Sequence, residues 1–156
     1  MKNAVIAGTF DPVTIGHLDV ISRAAALFDS VTVGVFETAE KKTMFSPSTR
    51  EEAMRAAVKD LSNVKVERTN GVTLADFALT HNAVIVKGIR NTADADYEIQ
   101  LANINKETGG VETVILAASP EYSFISSTFV REMIKYKKPY EKYVPHGAFD
   151  VIKNAH

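Results

Sequence analysis

The sequence contains no cysteine. This absence excludes a disulfide-stapled scaffold, a thiolate zinc site and a cysteine nucleophile, and it fits a reducing compartment. An excess of charge of one sign is also missing, because 18 Lys and Arg face 19 Asp and Glu, for a net charge of −1. Because the protein has no net positive charge to attract a phosphate backbone, we expect no nucleic-acid partner. Any anion site must come from a local cluster of cationic side chains.

Long apolar segments are absent as well. No run approaches the roughly 18 residues that span a bilayer, and the apolar run at residues 4–7 is too short for a signal peptide. No internal repeat, low-complexity tract or linker interrupts the 156 residues. A chain of this length buries roughly two thirds of its unfolded surface. We therefore predict a single domain over residues 1–156, located in the cytoplasm and without membrane contact.

Short apolar runs alternate with segments of helical period. The pattern predicts strands at residues 4–7, 31–36, 64–66, 83–86 and 113–118, and helices at 16–28, 48–60, 74–79, 93–106, 126–136 and 145–154. This alternation is typical of a parallel sheet covered on both faces. We predict an α/β fold, a Rossmann-like three-layer sandwich with a five-stranded parallel sheet. In such folds ligands bind beyond the carboxyl ends of the strands.

Polar and cationic residues follow four of the predicted strands. Thr9 follows the first strand, and His17 lies at the start of the next helix, where free N–H groups and the helix dipole favour phosphate. Lys41 follows the second strand, Lys87-Gly88-Ile89-Arg90 the fourth, and the hydroxyl cluster Ser126-Ser127-Thr128 the fifth. Each feature alone also fits a structural role, as a helix-terminal histidine, a solvated lysine, a turn or a helix cap. A polyphosphate is the simplest ligand that uses all of them.

Several catalytic patterns are missing. The segment after the first strand matches neither the Gly-Lys-Ser/Thr of a P-loop nor Gly-x-Gly-x-x-Gly. No activated-nucleophile pattern and no metal-ligand cluster is evident, and His81, His146 and His156 are scattered. We therefore predict no protein-held metal, and chemistry by orientation and charge stabilisation rather than through a covalent intermediate.

The motifs together resemble those of a known family. The sequence Gly8-Thr9-Phe10-Asp11-Pro12, followed by Thr14-Ile15-Gly16-His17, resembles the T/HxGH signature of the nucleotidyltransferase superfamily. Its second signature, ISSTxxR, is similar to Ile125-Ser126-Ser127-Thr128-Phe129-Val130-Arg131. Further segments resemble, more narrowly, the bacterial phosphopantetheine adenylyltransferase family. They are Lys41-Lys42-Thr43-Met44-Phe45, Lys87-Gly88-Ile89-Arg90, Tyr97-Glu98 and Tyr122-Ser123-Phe124. The similarity extends over nearly the whole chain.

The resemblance implies a reaction and a set of site residues. It implies transfer of the adenylyl group of ATP to 4′-phosphopantetheine, with Mg²⁺, to give dephospho-coenzyme A and pyrophosphate by direct in-line displacement. It implies catalytic roles for His17, Lys41 and Arg90. For the phosphopantetheine it implies contacts from Thr9, Lys41, Lys87 and one of Thr73 and Leu74. For ATP it implies contacts from Thr9, Phe10, His17, Gly88, Ile89, Arg90, Glu98, Tyr122, Ser123, Phe124, Ile125, Ser126, Ser127 and Thr128. It also implies a homohexamer that coenzyme A inhibits by feedback.

The sequence departs from the family pattern at a few positions. Ile6-Ala7 stands where an aromatic or other residue and a proline are usual, Lys87 where arginine is usual, and Thr128 where a third serine is common. Lysine keeps the charge but loses the two-donor fork of a guanidinium. Two other interpretations stay open: a sister nucleotidyltransferase acting on another small phosphorylated substrate, and a nucleotide-binding regulatory module without catalysis.

Overall fold

The computed structural model describes residues 1–156. Its strands are β1 (Asn3–Gly8), β2 (Ser30–Glu37), β3 (Val64–Asn70), β4 (Ala83–Ile89) and β5 (Thr113–Ala117). Its helices are α1 (Ile15–Leu27), α2 (Pro47–Ala57), α3 (Leu74–Thr80), α4 (Thr92–Gly109), α5 (Ser127–Lys135) and α6 (His146–Asn154). Single 3₁₀ turns at Pro120–Tyr122 and Glu141–Tyr143 precede α5 and α6. Every predicted strand and helix is present.

The five strands form one parallel sheet in the order β3-β2-β1-β4-β5. The chain runs outward from β1 through β2 to β3 and then returns to add β4 and β5 on the other side of β1. The strand order therefore reverses between β1 and β4. At such a point the connections after the two strands diverge and leave a crevice at the carboxyl end of the sheet. The predicted α/β, Rossmann-like fold is confirmed.

Helices cover both faces of the sheet because successive side chains of a strand point to opposite faces. Along β1, Ala4 and Ile6 join the larger core, which includes buried residues of α1, α2 and α6. Val5, between them, joins a smaller core with Phe77 and Ala78 of α3. Helix α4 packs against α3 and β4 on that second face. The result is a helix–sheet–helix sandwich.

The start of α2 differs from the sequence-based expectation. The helix begins at Pro47 rather than at residue 48, and it ends at Ala57 rather than near residue 60. Ser46 is its N-cap and accepts a hydrogen bond from the N–H of Thr49. Proline suits the first helical position because that position has no intrahelical partner for an N–H and its φ is preset.

Helix α4 is the longest helix, with 18 residues, and contributes no buried residue to the core. Three of its apolar side chains, Tyr97, Ile99 and Ile104, are exposed. No helix of the structure combines the length and the apolar character that crossing a membrane requires.

Candidate active site

A cavity of about 300 Å³ opens at the carboxyl ends of β1 and β4, where the strand order reverses. Its wall combines the end of β1 and the start of α1 with the end of β4, the first turns of α4 and the approach to α5. Eleven of the predicted site residues line it: Thr9, Phe10, His17, Lys87, Gly88, Arg90, Glu98, Tyr122, Ile125, Ser126 and Ser127. Residues more than 100 positions apart in the sequence thus face one space.

The other predicted site residues lie outside the cavity wall; they are Lys41, Thr73, Leu74, Ile89, Ser123, Phe124 and Thr128. Lys41 is next to it, because its Nζ donates to Oγ1 of the lining residue Thr9 at 3.3 Å. Thr73 is the N-cap of α3, and its hydroxyl accepts the N–H of Asp76. Leu74 packs against the smaller core.

The orientation of His17 follows from how α1 begins. Thr14 is the N-cap of the helix, and His17 stands three residues later, so that the two form a reciprocal capping box. The backbone N–H of Thr14 donates to Nδ1 of His17 at 2.9 Å. Because Nδ1 accepts this bond, the proton of a neutral imidazole must sit on Nε2. Nε2 has no hydrogen-bond partner within the chain.

The protonation state of His17 is set by its surroundings. Burial, together with the positive charge of Arg90, lowers its pKa from 6.5 to about 4. The side chain is therefore neutral at pH 7, with one free N–H donor on Nε2. The ring of Phe10 meets the imidazole edge-on, with centroids 5.0 Å apart. Phe10 has a left-handed backbone conformation, with φ of 50°, which is strained for a bulky residue.

Arg90 connects the end of β4 to the segment before α5. Its Nε donates to the carboxylate of Asp94 at 3.0 Å, and its Nη1 donates to the carbonyl of Ile125 at 3.4 Å. Asp94 also accepts the backbone N–H of Arg90, at 3.1 Å. The side chain is about a third exposed. The guanidinium is therefore oriented on one side by the protein and keeps further N–H donors for an anion.

Lys87 and Glu98 form an ion pair in the cavity wall, with Nζ and Oε2 3.4 Å apart. Both side chains are mostly buried, at 20% and 16% exposure. Oε2 of Glu98 is buried and has no hydrogen-bond partner. An ammonium group has three donors, and Lys87 has this one acidic partner, so its remaining donors can meet a ligand.

Each hydroxyl of the cluster at the start of α5 has one hydrogen-bond partner in the protein. The Ser126 hydroxyl caps the helix, accepting the N–H of Phe129 at 3.0 Å. Ser127 donates to the carbonyl of Pro12 at 2.8 Å, and Thr128 accepts a hydrogen bond from Arg131 at 3.1 Å. Because the hydroxyls of Ser126 and Thr128 act as acceptors in these bonds, each keeps its O–H donor for an anion, beside the free N–H groups of the first helical turn.

Sequence reasoning missed a buried cation behind the site. Arg50 is 3% exposed and lies on the core side of α2 with Ala53 and Met54. Burial lowers its pKa, and the charges of Asp11 and Glu37 act in the opposite direction. The spacing was the available signal, because an arginine three and four residues before two core residues falls on the buried face of a helix.

The comparison with known proteins agrees with this geometry. The model of the family described as cytidylyltransferase-like matches residues 5–133. A curated phosphopantetheine adenylyltransferase of Psychromonas ingrahamii is 42% identical over 147 residues, covering 93% of this chain and 91% of its own. One of Bacteroides thetaiotaomicron is 40% identical, covering 94% and 97%. One of Deinococcus radiodurans is 41% identical, covering 92% and 87%. The chain belongs to the cytidylyltransferase-like family and, within it, to the phosphopantetheine adenylyltransferases.

Proposed function

We propose that the chain transfers the adenylyl group of ATP to 4′-phosphopantetheine, giving dephospho-coenzyme A and pyrophosphate. One observation carries the proposal. In a chain whose relatives are named for this reaction, the crevice between β1 and β4 brings together a neutral histidine donor, an arginine and a lysine. A ligand with several phosphate groups matches this set of donors better than a neutral ligand does.

The chemistry needs no nucleophile from the enzyme. An oxygen of the phosphopantetheine phosphate attacks the α-phosphorus of ATP, the bond from that phosphorus to the bridging oxygen breaks, and pyrophosphate leaves. Since the attacking group is already an anion, the barrier lies mainly in alignment and in charge gathered at the α-phosphate. His17, through Nε2–H, and Arg90 donate to the oxygens that gain charge.

The two substrates divide the remaining residues. We place the phosphate of phosphopantetheine against Lys87, Lys41 and Thr9, with its pantetheine arm toward Thr73 or Leu74. We place ATP along the end of β4 and the start of α5, where it would contact Phe10, Gly88, Ile89, Glu98 and the segment from Tyr122 to Thr128. Support for this division is the position of Lys41 beside Thr9 and the presence of Lys87 in the same cavity wall as Thr9.

Magnesium enters the proposal as part of the substrate. The two acidic residues of the cavity wall, Asp94 and Glu98, are each paired with a cation, Arg90 and Lys87. No group of three or more His, Asp or Glu side chains is arranged to hold a metal ion. We propose that Mg²⁺ arrives bound to phosphate oxygens of ATP and neutralises part of their charge.

The test is pyrophosphate release from ATP, measured with and without 4′-phosphopantetheine. Release that requires phosphopantetheine supports the proposal. Release with nicotinate mononucleotide, or with CTP and a phosphorylated alcohol, would identify a sister nucleotidyltransferase instead. ATP binding without any release would indicate a regulatory module. A His17→Ala variant serves as the inactive control, and His146→Ala, an exposed histidine at the start of α6, as its matched active control.

We further propose a homohexamer in the cytoplasm that coenzyme A inhibits. The family resemblance suggests the assembly and the inhibition, and the exposed apolar side chains of α4 support the assembly. Light scattering at micromolar concentration should give the mass of six chains, and a monomer would contradict the assembly. Coenzyme A should compete with phosphopantetheine in steady-state kinetics, and cell fractionation checks the location.

A further inference from the structure

The loop that carries Lys41 has no regular secondary structure. Residues 38–46 join β2 to α2, and Ser46 is the N-cap of the helix; we refer to residues 38–45 as the Lys41 loop. Lys41 itself is exposed. A long, exposed side chain contributes to catalysis only if its backbone is held in place, because an error of about 1 Å can cost a hundredfold in rate. What holds this loop is therefore relevant to the reaction.

Arg50 binds the loop from inside the protein. Its Nη1 donates to the carbonyl of Thr9 at 2.7 Å and to that of Phe36 at 3.1 Å. Its Nε donates to the carbonyl of Phe45 at 3.2 Å. One planar guanidinium thus joins the segment after β1, the end of β2 and the last residue of the Lys41 loop. Hydrogen bonds from a charged donor are the stronger kind, and here they are shielded from water.

A second buried group holds the same loop. The carboxylate of Asp11 accepts the N–H groups of Met44 and Phe45, both at 2.9 Å. Asp11 is 4% exposed. The loop is therefore fastened to the segment after β1 through both its N–H groups and its carbonyl. Lys41, within this loop, donates to Oγ1 of Thr9. The carbonyl of the same Thr9 accepts a hydrogen bond from Arg50.

We infer that Arg50 is a positioning residue for adenylyl transfer, acting through Lys41. By fixing the carbonyls of Thr9 and Phe45 relative to each other, it sets where the ammonium of Lys41 lies at the edge of the cavity. Arg50 is absent from the cavity wall, so any effect on the reaction has to pass through other residues. The inference rests on the proposed function for its catalytic consequence, but its structural basis, the order of the loop, can be measured separately.

A double-mutant cycle between Arg50 and Lys41 is the decisive test. Arg50→Lys keeps a positive charge but cannot reach three carbonyls with a rigid fork. We expect it to lower kcat/KM for phosphopantetheine about 10- to 100-fold, with a smaller change in KM for ATP. In a Lys41→Ala background the same substitution should cost less than about threefold, since residues acting through one another are not additive. An equal loss in both backgrounds would overturn the inference.

Folding and function are separated by two further measurements. Arg55→Met is the matched control, because Arg55 lies on the same helix and donates to Glu51 and to the carbonyl of Val66, away from the loop. Hydrogen exchange at the amides of Met44 and Phe45 should become about tenfold faster in Arg50→Lys and stay unchanged in Arg55→Met. Unchanged exchange in Arg50→Lys would refute the positioning role even in an enzyme that transfers no adenylyl group.

A failure of Arg50→Lys to fold still leaves the inference testable. Asp11→Asn weakens the hold on the same two amides while leaving Arg50 intact. The cycle is then repeated with Asp11→Asn and Lys41→Ala. Non-additive losses support positioning of Lys41 by this buried network, and additive losses reject it. A different outcome would count against the proposed function alone. In that outcome the unmodified chain releases no pyrophosphate, while the amides of Met44 and Phe45 still exchange faster in Arg50→Lys than in the unmodified chain.

Discussion

The two nitrogens of His17 have different surroundings, and this difference determines what the residue can do. Nδ1 accepts a hydrogen bond from the backbone of Thr14, which fixes the ring and leaves the proton on Nε2. Because burial and Arg90 keep the pKa near 4, the ring is neutral throughout the physiological range. A neutral imidazole with its lone pair engaged is a poor base but a well-oriented donor, which suits stabilisation of a phosphate oxygen.

We predict that His17→Ala loses kcat by about 10²–10³, because removing one preorganised donor has an effect of that size. ATP binding should weaken far less, since the donor acts mainly on charge that develops in the transition state. Steady-state kinetics beside His146→Ala checks the effect. The pH dependence checks the role: the ratio of kcat between the unmodified enzyme and His17→Asn should stay constant from about pH 5.5 to 8. A step in that ratio near pH 6.5 would show a titrating base.

Lys87 stands where the family resemblance leads us to expect an arginine. We predict that Lys87→Ala raises KM for phosphopantetheine more than KM for ATP, because it removes binding common to ground and transition states. Lys87→Arg should retain or improve activity, as a guanidinium grips phosphate with two donors. Lys65→Ala is the control, because Lys65 is an exposed lysine of β3 that lies outside the cavity wall. Equal changes in the two KM values for Lys87→Ala would argue against the assignment.

At the scale of elements, the close approach of α1 to β4 brings His17 near Lys87 and Arg90. Gly88 makes this approach possible. A Cβ added to Gly88 would lie 2.7 Å from Cγ2 of Val20, which is buried on α1. A β-branched side chain has little rotamer freedom in a helix, so Val20 cannot turn aside. The absence of a side chain at Gly88 therefore sets the width of the cavity between the two elements.

We predict that Gly88→Ala destabilises the protein by about 1–3 kcal/mol, the usual cost of overpacking, and lowers kcat by moving α1 away from β4. Val20→Ala should also destabilise, by leaving a cavity. The double variant should be more stable than the sum of the two losses predicts, because the new methyl group occupies the vacated space. Urea unfolding of the four proteins measures this coupling. Strict additivity would show that the two residues do not meet.

The sequence was sufficient for the elements and for much of the cavity wall, and the reasons are local. Apolar runs such as Ala4 to Ala7 and the helical spacing within residues 16–28 depend only on residues close in the chain, so strand and helix positions follow from them. The strand order depends on contacts between distant residues, but parallel sheets adopt only a few topologies. In all of them the carboxyl ends of the strands lie at one edge, so the residues that follow the strands could be assigned to one site.

The partners of side chains could not be predicted in the same way. The sequence did not indicate that each of the three hydroxyls at Ser126–Thr128 has a hydrogen-bond partner in the protein. The acceptor of Ser127 is a carbonyl 115 residues away. Arg50 likewise finds Thr9 across 41 residues. Such contacts depend on how loops meet in space, and no spacing within one element encodes them.

On the scale of the whole molecule, the cavity lies directly against the larger core, which shares Phe10 and Val20 with its wall. The larger core reaches from Ala4 to Phe10, Val20 and Val130, and so directly supports the cavity floor. Placing a half-buried histidine on that floor brings a cost, because burial opposes its protonation. This cost in folding stability is absent at a pH where the ring is neutral, and it grows as the solution becomes acidic.

We predict that His17 makes the protein less stable in acid. In the unfolded chain its pKa is the ordinary 6.5, and in the folded protein it is about 4. Between these values the unfolded state binds the extra proton, so the free energy of unfolding falls as pH falls. Above about pH 6.5 the titration of His17 leaves the free energy of unfolding unchanged. The free energy of unfolding is lower by about 2 kcal/mol at pH 5, and it falls further until about pH 4. Urea unfolding at pH 7 and pH 5 should therefore show a larger loss for the unmodified protein than for His17→Asn, which has no group titrating there. Equal losses in the two proteins would mean that the histidine is not shielded from water in the folded state.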